Sequence, residues 1–341
     1  MTMTRLAELA GLNIATVSRA LRGDSSRVSA ETIARVQRLA EEHGYRPDPA
    51  ASSLRGGRTR VLGVLVPHLT DVVMAEVFEG VAAQAADAGY LAVVTPTRES
   101  NAVRRDAVEA FLNRRVDGII LADASVRRPV PPGLAASTVP FVLALRGSPS
   151  HLSVTADDRL GGQLAAGHLL DAGHHDVCVI GGPRNVSTAV ARLAGFTQAY
   201  RDAGVTIEPA AIAHGEFTAM AGHTAMTALL RTRRPTAVFA ANDYNAIGAA
   251  RALQDAGLRI GHDVAIVGYN DISISAQLPV PLSTVRNELG TIGRLAAEAL
   301  IDLLDDREAS SRQVPPRLIV RESSASVTPP ARRPPEQPQR E

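Results

Sequence analysis

The 341-residue sequence predicts an α-helical helix-turn-helix unit followed by a two-lobed α/β domain built from doubly wound parallel sheets. The first observation behind this prediction is length, because a single hydrophobic core stops growing near roughly 250 to 300 residues. The second is the apolar spacing of residues 1–60, which is typical of short helices. The third is the remainder of the chain, where short apolar runs alternate with amphipathic segments.

Three short helices are predicted at the N-terminus, at 4–10, 14–22 and 30–43. Asn13 and Ser29 are suited to cap the second and third helices, and Gly44 to close the third in the left-handed conformation. Residues 1–60 contain ten Arg against six Asp or Glu, whereas the remainder has 26 Arg against 29 acids. The helical unit is therefore the basic part of the chain, which favours a phosphate-bearing partner.

The second helix has two different faces. One face is apolar and includes Val17, while the other combines small, apolar and cationic side chains. Arg19 could bond a guanine edge in a major groove, and Ile14 or Ala15 could touch a thymine methyl group. The alternative is an ordinary solvated helix.

Four separated blocks carry a resemblance to a known family, at 7–19 (AELAGLNIATVSR), 28–32 (VSAET), 44–47 (GYRP) and 50–55 (AASSLR). In order and spacing they resemble the headpiece of the lactose and galactose repressor family (LacI/GalR). The resemblance implies that the second helix reads DNA bases and that Leu54 is a minor-groove wedge. By that resemblance Ile14, Ala15 and Arg19 read bases and Asn13, Thr16, Ser18 and Tyr45 hold the DNA backbone, while Arg22 and Arg55 complete the predicted set.

The segment 48–60 is predicted to be a hinge helix and linker between a DNA-binding domain at 1–47 and the two-lobed domain at 61–322. One or two helical turns are not stable alone in water, so we expect this helix to fold only on DNA and a partner chain. An apolar Leu54 suits insertion between base steps, which kinks DNA. The alternative is that Leu54 packs onto the following domain.

Buried parallel strands are predicted at 61–66, 91–95, 118–121, 141–145, 177–180, 237–240 and 264–267. The family resemblance extends over this region to about Ser326, through blocks such as 191–196 (ARLAGF) and 241–243 (AND). It implies a periplasmic-binding-protein-like fold whose chain crosses between lobes near 160, 288 and 322. Lobe 1 would comprise 61–160 and 289–321, and lobe 2 161–288 and 322–327. The stretch 328–341 is predicted to be a disordered tail.

A polar cleft is predicted where the strands end, because ligands of open parallel sheets lie beyond the carboxyl ends of the strands. By resemblance Arg192 is a ligand-binding arginine, and Phe217 lies where some family members use an aromatic ring. For any one of these residues the alternative is a salt bridge or a helix cap within its own lobe. The predicted effector-binding set is Asp71, Met74, Asp123, Arg146, Asp157, Arg192, Phe217, Asn242 and Asn270.

The cleft departs from the family pattern in three places. Residues 71–74 (DVVM) replace an Asn-Pro-Phe-Phe-like stretch, residues 156–157 (AD) replace an Asp-Asn pair, and Asn270 replaces an aspartate. Carboxylates are the strong acceptors for sugar hydroxyls, so these losses favour another ligand, weaker binding, or a shifted role for Asp157 and Asp271.

Composition and motifs argue against a catalytic site and against a metal or cofactor site. The chain has no lysine, so we expect no Walker loop, Schiff-base site or kinase site. His168, His174 and His175 fit no familiar metal pattern, no catalytic nucleophile motif is present, and we expect neither an enzyme nor a metal or cofactor. The absence of a secretory pattern, of a long apolar run and of a second cysteine besides Cys178 predicts a cytoplasmic protein without membrane association.

Together these observations predict a homodimeric transcriptional regulator that binds a pseudo-palindromic double-stranded DNA operator and responds to a small-molecule effector, a sugar or related compound. That it represses rather than activates is implied by the family tendency. Three alternatives remain: a solute-binding protein, an enzyme that uses the cleft, and a repressor that responds to a protein partner.

Overall fold

The structure is a computed structural model that describes residues 1–21, 23–45 and 57–324. The chain divides into two compact units, Met1–Thr59 and Arg60–Glu341. Arg22, the predicted hinge helix with Leu54 and Arg55, and the predicted tail at 328–341 lie outside the described residues.

The described part of the first unit contains three helices, α1 (Met3–Ala10), α2 (Ile14–Leu21) and α3 (Ala30–Glu42). They begin and end where side chains satisfy free backbone groups: Thr2 and Ser29 accept hydrogen bonds from first-turn amides of α1 and α3. Gly11 ends α1 in the left-handed conformation, with φ of 61°. A small apolar core, which includes Leu6 and Val36, holds the helices together. We call this unit the headpiece.

The second unit alternates strands and helices, as predicted. Its strands are β1 (Val61–Val66), β2 (Leu91–Pro96), β3 (Gly118–Leu121), β4 (Phe141–Ala144), β5 (Ser153–Ala156), β6 (Val177–Ile180), β7 (Ile212–Ala213), β8 (Ala237–Ala240), β9 (Ala265–Asn270), β10 (Ser283–Arg286), β11 (Arg312–Val314) and β12 (Arg317–Ile319). Its α-helices are α4 (Val72–Asp87), α5 (Asn101–Asn113), α6 (Pro132–Ala135), α7 (Asp158–Asp171), α8 (Ser187–Asp202), α9 (Ala219–Leu230), α10 (Asp243–Asp255) and α11 (Leu289–Leu304). Two 3-10 turns, Pro209–Ala211 and Ser273–Gln277, complete the described elements.

The strands form two six-stranded sheets, ordered β11-β5-β4-β3-β1-β2 and β12-β10-β9-β8-β6-β7. All pairings are parallel except that of β10 with β12. Each sheet buries a separate apolar cluster on each of its two faces, which is why its central strands are apolar throughout. The predicted doubly wound fold is confirmed. We call the first sheet with α4, α5, α6 and α11 lobe 1, and the second sheet with α7 to α10 lobe 2.

The chain passes between the lobes three times. It crosses after β5 and after β10, and the third crossing lies between β11 in lobe 1 and β12 in lobe 2. We expected this last crossing near residue 322, but β12 pairs with β10, so the chain changes lobe between Val314 and Arg317. The two residues between these strands are Pro315 and Pro316, which lack the N–H groups needed to continue a strand ladder.

Three helix pairs pack through reciprocal glycines. In each pair a glycine of one helix lies against the backbone of the other, so a methyl group at that position would overlap a backbone carbonyl oxygen. The close approach lets these helices bury their backbones against each other above the sheets. The pairs are Gly80 and Gly293 between α4 and α11, Gly162 and Gly195 between α7 and α8, and Gly222 and Gly248 between α9 and α10.

Candidate DNA-reading surface and interlobe cleft

Helix α2 of the headpiece buries one face and exposes the other. Val17 and Ala20 are buried against α1 and α3. Ile14 is 42% exposed, although it is a large apolar residue at the start of a helix. Asn13 and Ala15 are also exposed, and Thr16, Ser18 and Arg19 are half-buried. The predicted reading face is therefore presented to solvent.

Side chains next to this face fix the orientation of α2. The Asn13 Oδ1 atom accepts a hydrogen bond of 2.8 Å from the Thr16 amide, so Asn13 caps α2. Arg35 in the middle of α3 donates from Nη2 to the Ala10 carbonyl at 2.7 Å, which ties α3 to the end of α1. The Tyr45 hydroxyl lies 3.5 Å from the Met3 sulfur, and its ring packs on the headpiece core. These contacts connect the helices of the headpiece on which the reading face lies.

A cleft of about 430 Å³ lies between the two lobes, at the carboxyl ends of their strands. Lobe 1 contributes the loops that follow β1, β2 and β4, and lobe 2 contributes residues that follow β6, β7 and β8. This is the position that the parallel sheets predict for a ligand. The polar and aromatic side chains of its lining are His68, Thr70, Asp71, Glu99, Arg146, Glu216, Phe217, Thr218 and Tyr244.

Three charged side chains of lobe 1 line the cleft: Asp71, Glu99 and Arg146. Arg146 is 4% exposed, and its Nη2 atom donates to Glu99 Oε1 at 3.0 Å. Its Nη1 atom has no hydrogen-bond partner among the described residues. Burial raises the pKa of the Asp71 carboxyl, against the lowering effects of the Val73 amide and the Arg146 guanidinium. The cleft thus offers an unpaired buried donor next to a desolvated acceptor.

Lobe 2 contributes aromatic rings to the cleft. Phe217 follows β7, and Tyr244 lies in the first turn of α10. Tyr244 also packs against the apolar core of lobe 1, so it contacts both lobes. Rings that line a polar cavity provide flat apolar surface for a cyclic ligand.

Of the nine residues predicted to bind an effector, Asp71, Arg146 and Phe217 line this cleft. Asp157 caps α7 by accepting from the Leu160 amide at 3.0 Å, and it lines a different cavity of about 500 Å³. The other five lie in the core of a lobe or bond within it. Met74 is in the lobe 1 core, Asp123 pairs with Arg104, Asn242 caps α10, Asn270 accepts from Asn287, and Arg192 belongs to a buried network.

The network around Arg192 is internal to lobe 2. Arg192 is 2% exposed, and its Nε atom lies 2.7 Å from Asp158 Oδ1. Its Nη1 atom donates to the Ala241 carbonyl at 2.7 Å, and its guanidinium stacks 3.8 Å above the centre of the Tyr269 ring. These contacts agree with the alternative interpretation from the sequence, a salt bridge within its own lobe.

Six polar or aromatic residues that line the cleft were not predicted from the sequence: His68, Thr70, Glu99, Glu216, Thr218 and Tyr244. A signal was available for four of them, because His68 and Thr70 lie in the loop after β1 that identified Asp71, and Glu216 and Thr218 flank Phe217, which the family resemblance identified. Tyr244 gave no such signal, since it lies within a helix.

The described residues give little support for metal binding, nucleophilic catalysis or a membrane span. No group of three or more His, Cys, Asp or Glu among them is placed to hold a metal ion. Cys178 is buried in β6, and burial raises the pKa of its thiol to about 11, which makes it a poor nucleophile. None of the described helices is long and apolar enough to span a membrane.

The fold and these two sites define a class of protein, in which a helix-turn-helix headpiece precedes a periplasmic-binding-protein-like domain. A model of bacterial regulatory proteins of the lacI family matches residues 2–48, and one of the periplasmic binding protein-like domain matches residues 166–324. The chain belongs to the LacI family and is a DNA-binding transcriptional regulator.

Individual relatives are similar to this chain over nearly its whole length. The HTH-type transcriptional repressor CytR of Escherichia coli (strain K12) is 31% identical over 337 residues, 96% of this chain and 97% of that protein. The ribose operon repressor of Haemophilus influenzae is 32% identical over 330 residues, 96% and 99% of the two chains. A crystal structure of the lac repressor dimer bound to operator and the anti-inducer ONPF has a TM-score of 0.87 at 28% identity, and covers 96% and 99%. These relatives are repressors rather than enzymes.

Proposed function

We propose that this protein is a homodimeric repressor that binds a pseudo-palindromic operator in double-stranded DNA and is switched by a small polar metabolite in the interlobe cleft. The observation that carries the proposal is the exposed face of α2 on a headpiece matched by the lacI family model. A two-fold dimer presents two such faces, which suit two symmetric half-sites. Because the protein is proposed to bind operator DNA, we also propose that it lies in the cytoplasm.

In the headpiece, Ile14, Ala15 and Arg19 are proposed to contact base edges in the major groove. Arg19 provides the planar fork that bonds a guanine edge. Asn13, Thr16, Ser18 and Tyr45 are proposed to contact the DNA backbone, and Arg22 and Arg55 are also proposed to bind DNA. Leu54 is proposed as the minor-groove wedge.

In the cleft, Arg146 Nη1 is proposed to donate to an acceptor of the ligand, and Asp71 to accept from a hydroxyl or amine. Arg146 is buried and Asp71 is half-buried, so leaving the Arg146 Nη1 donor unpaired costs free energy that a bound ligand recovers. Phe217 and Tyr244 are proposed to contact the ligand ring. Asp123, Arg192, Asn242 and Asn270 then shape the cleft through contacts inside their lobes.

Effector binding is proposed to act by closing the lobes, which changes the geometry at the hinge segments of the dimer. A hinge helix of one to two turns is marginal in isolation, so a small change can decide whether it forms. The ligand shifts the equilibrium only by its differential affinity for the two states.

The experiment that tests DNA reading is selection of bound sites from a randomised double-stranded pool by the purified protein, at fixed physiological salt because phosphate contacts are salt-dependent. We expect an enriched pseudo-palindrome with a flexible central step. Arg19→Ala is expected to relax base preference at one position of each half-site, and Leu54→Ala to lower operator affinity more than nonspecific affinity. Arg251→Ala, an exposed residue of α10, is the matched control. No enrichment with or without metabolite extract would refute the operator proposal.

The experiment that tests the cleft is a thermal unfolding screen with pentoses, hexoses and nucleosides, beginning with ribose because one relative is a ribose operon repressor. A stabilising ligand should lose its effect in Arg146→Met and keep it in Arg251→Met. If no small molecule stabilises the protein, the repressor that answers to a protein partner is favoured instead. Turnover of a metabolite would favour an enzyme.

A further inference from the structure

A second cavity between the lobes, of about 440 Å³, has a different chemistry from the effector cleft. Its polar lining is Asn101, Ser125, Arg127, Arg128, Arg184 and Asn185. Three of these side chains are guanidinium groups, and no Asp or Glu is part of the lining that the structure describes. None of the three forms an ion pair with a described carboxylate. We call this cavity the arginine pocket.

The loop that carries Arg127 and Arg128 is held from beneath. Arg104 is buried and pairs with Asp123, with 2.9 Å between Nε and Oδ2. Its Nη1 and Nη2 atoms donate to the carbonyl oxygens of Arg128 and Pro129, at 2.8 and 2.7 Å. This buried arginine fixes the backbone of the loop that presents two exposed arginines.

The arginine pocket spans both lobes. Arg127 and Arg128 follow β3 of lobe 1, whereas Arg184 follows β6 of lobe 2. The two walls are joined by a backbone hydrogen bond of 2.9 Å from the Val126 amide to the Asn185 carbonyl. Three like charges at such a seam repel one another, and an anion between them offsets that repulsion.

The effector cleft has the opposite balance of charge, with more acidic than basic side chains. It holds Asp71, Glu99 and Glu216 against Arg146, and Arg146 is already paired with Glu99. An anionic group is therefore disfavoured in the cleft and favoured in the arginine pocket. Guanidinium groups bond the oxygens of phosphate with geometric fit, often in bidentate fashion.

We propose that the arginine pocket binds a phosphate group, either as free phosphate or as part of a phosphate ester, and thereby links lobe 1 to lobe 2. An oxyanion held by Arg127 and Arg184 together stabilises an arrangement in which the two lobes stay joined, because the two arginines line one cavity from opposite lobes. The regulatory consequence, a second input to operator binding besides the cleft ligand, rests on the proposed function. The binding itself does not.

The test is calorimetric titration of the full-length protein with inorganic phosphate at constant ionic strength, kept constant with chloride. The variants are Arg127→Gln and Arg184→Gln, one from each wall, and Arg251→Gln is an exposed control of the same charge change. Each pocket variant is expected to weaken phosphate binding about tenfold, as loss of a charge-assisted hydrogen bond implies. The control should bind like the parent.

A hexose and its 6-phosphate ester, titrated in parallel, distinguish the two sources of the phosphate group. Binding of free phosphate that both pocket variants weaken supports a separate anion. Binding of the ester alone, again weakened in both variants, supports an anion carried by the effector. The proposal is overturned if the parent binds neither probe at millimolar concentration, or if both pocket variants bind like the parent. A protein that still selects an operator then loses only this inference, because site selection requires no phosphate ligand.

Discussion

At the scale of single residues, Arg192 illustrates how a buried charge depends on its partner. It is enclosed with Asp158 and the Tyr269 ring inside lobe 2. Removing one member of such a pair leaves the other charged and buried, so we expect Arg192→Met to lower the free energy of unfolding by about 3 to 5 kcal/mol. The double variant Asp158→Asn with Arg192→Met should lose less.

Urea unfolding of the parent and these variants measures the effect. Arg251→Met, which removes an exposed arginine on α10, is the control and should stay within about 0.5 kcal/mol of the parent. Equal stability of Arg192→Met and the control would show that the Asp158 pair contributes little to the folded state.

A second prediction at this scale concerns how Asp243 makes the stability of the protein depend on pH. Its carboxylate accepts hydrogen bonds from Thr284, Ser275 and the Ile272 amide, yet burial raises its pKa from 3.8 to about 6. Between these two pH values the folded protein keeps a proton that the unfolded chain has released. This contribution to stability is therefore full below about pH 3.8 and is lost as pH rises through 6.

The measurement is the difference in free energy of unfolding between the parent and Asp243→Asn, whose amide does not titrate in this range. We expect the advantage of the parent to shrink by about 2 kcal/mol between pH 4 and pH 7, at roughly 1.4 kcal/mol for each pKa unit, because the unfolded carboxyl is already partly ionised at pH 4. Parallel stability curves for the two proteins would contradict a raised pKa at Asp243.

At the scale of elements, the reciprocal glycines set how closely helices pack. Gly195 of α8 lies against the backbone of Arg159, whereas Gly167 of α7 faces open space. We expect Gly195→Ala to destabilise the protein by about 1 to 3 kcal/mol through overpacking. Gly167→Ala is expected to stabilise it by about 0.5 to 1 kcal/mol, because alanine is the better helix former.

Chemical unfolding of these two single-methyl variants measures the contrast, and each serves as the control for the other. If both substitutions raised stability, the α7–α8 contact would have to tolerate a wider separation than the structure shows.

The elements also show what a sequence can predict. Continuous apolar runs identified β1, β3, β6 and β8 with the observed boundaries, because a buried parallel strand has little choice of composition. The sequence did not reveal β5, β11 or β12, which are short and partly polar and form by pairing with neighbouring strands. Their existence depends on tertiary contacts.

For the cleft, too, the sequence predicted some features, and others depend on tertiary contacts. The rule on strand ends identified the loops of Asp71 and Arg146, since it depends only on the order of elements, whereas Phe217 came from the family resemblance. It could not decide the direction of a side chain. Arg192 turns toward Asp158, and Tyr244 reaches the cleft from within a helix. Both directions are set by partners distant in sequence.

At the scale of the whole molecule, the proposed dimer fixes the distance and the angle between its two recognition helices. Insertion of five base pairs between the half-sites of a selected operator turns one half-site by about half a helical turn. We expect affinity to fall by about a thousandfold, toward the nonspecific level. Fluorescence anisotropy titration at fixed salt measures this change.

A duplex with five base pairs added outside both half-sites is the control and should bind like the parent operator. Unchanged affinity after the central insertion would mean that each headpiece reads its half-site independently.

The three crossings between the lobes also bear on how the protein is made. Lobe 1 is incomplete until α11 and β11 have left the ribosome, and lobe 2 until β12 and Ser323, whose hydroxyl donates to the Ile266 carbonyl at 2.7 Å. A nascent chain that ends before residue 312 carries two sheets with unpaired edges, a form prone to aggregation. Neither lobe can finish folding before β11 and β12 have been made, so synthesis of the segment 312–323 completes both lobes together.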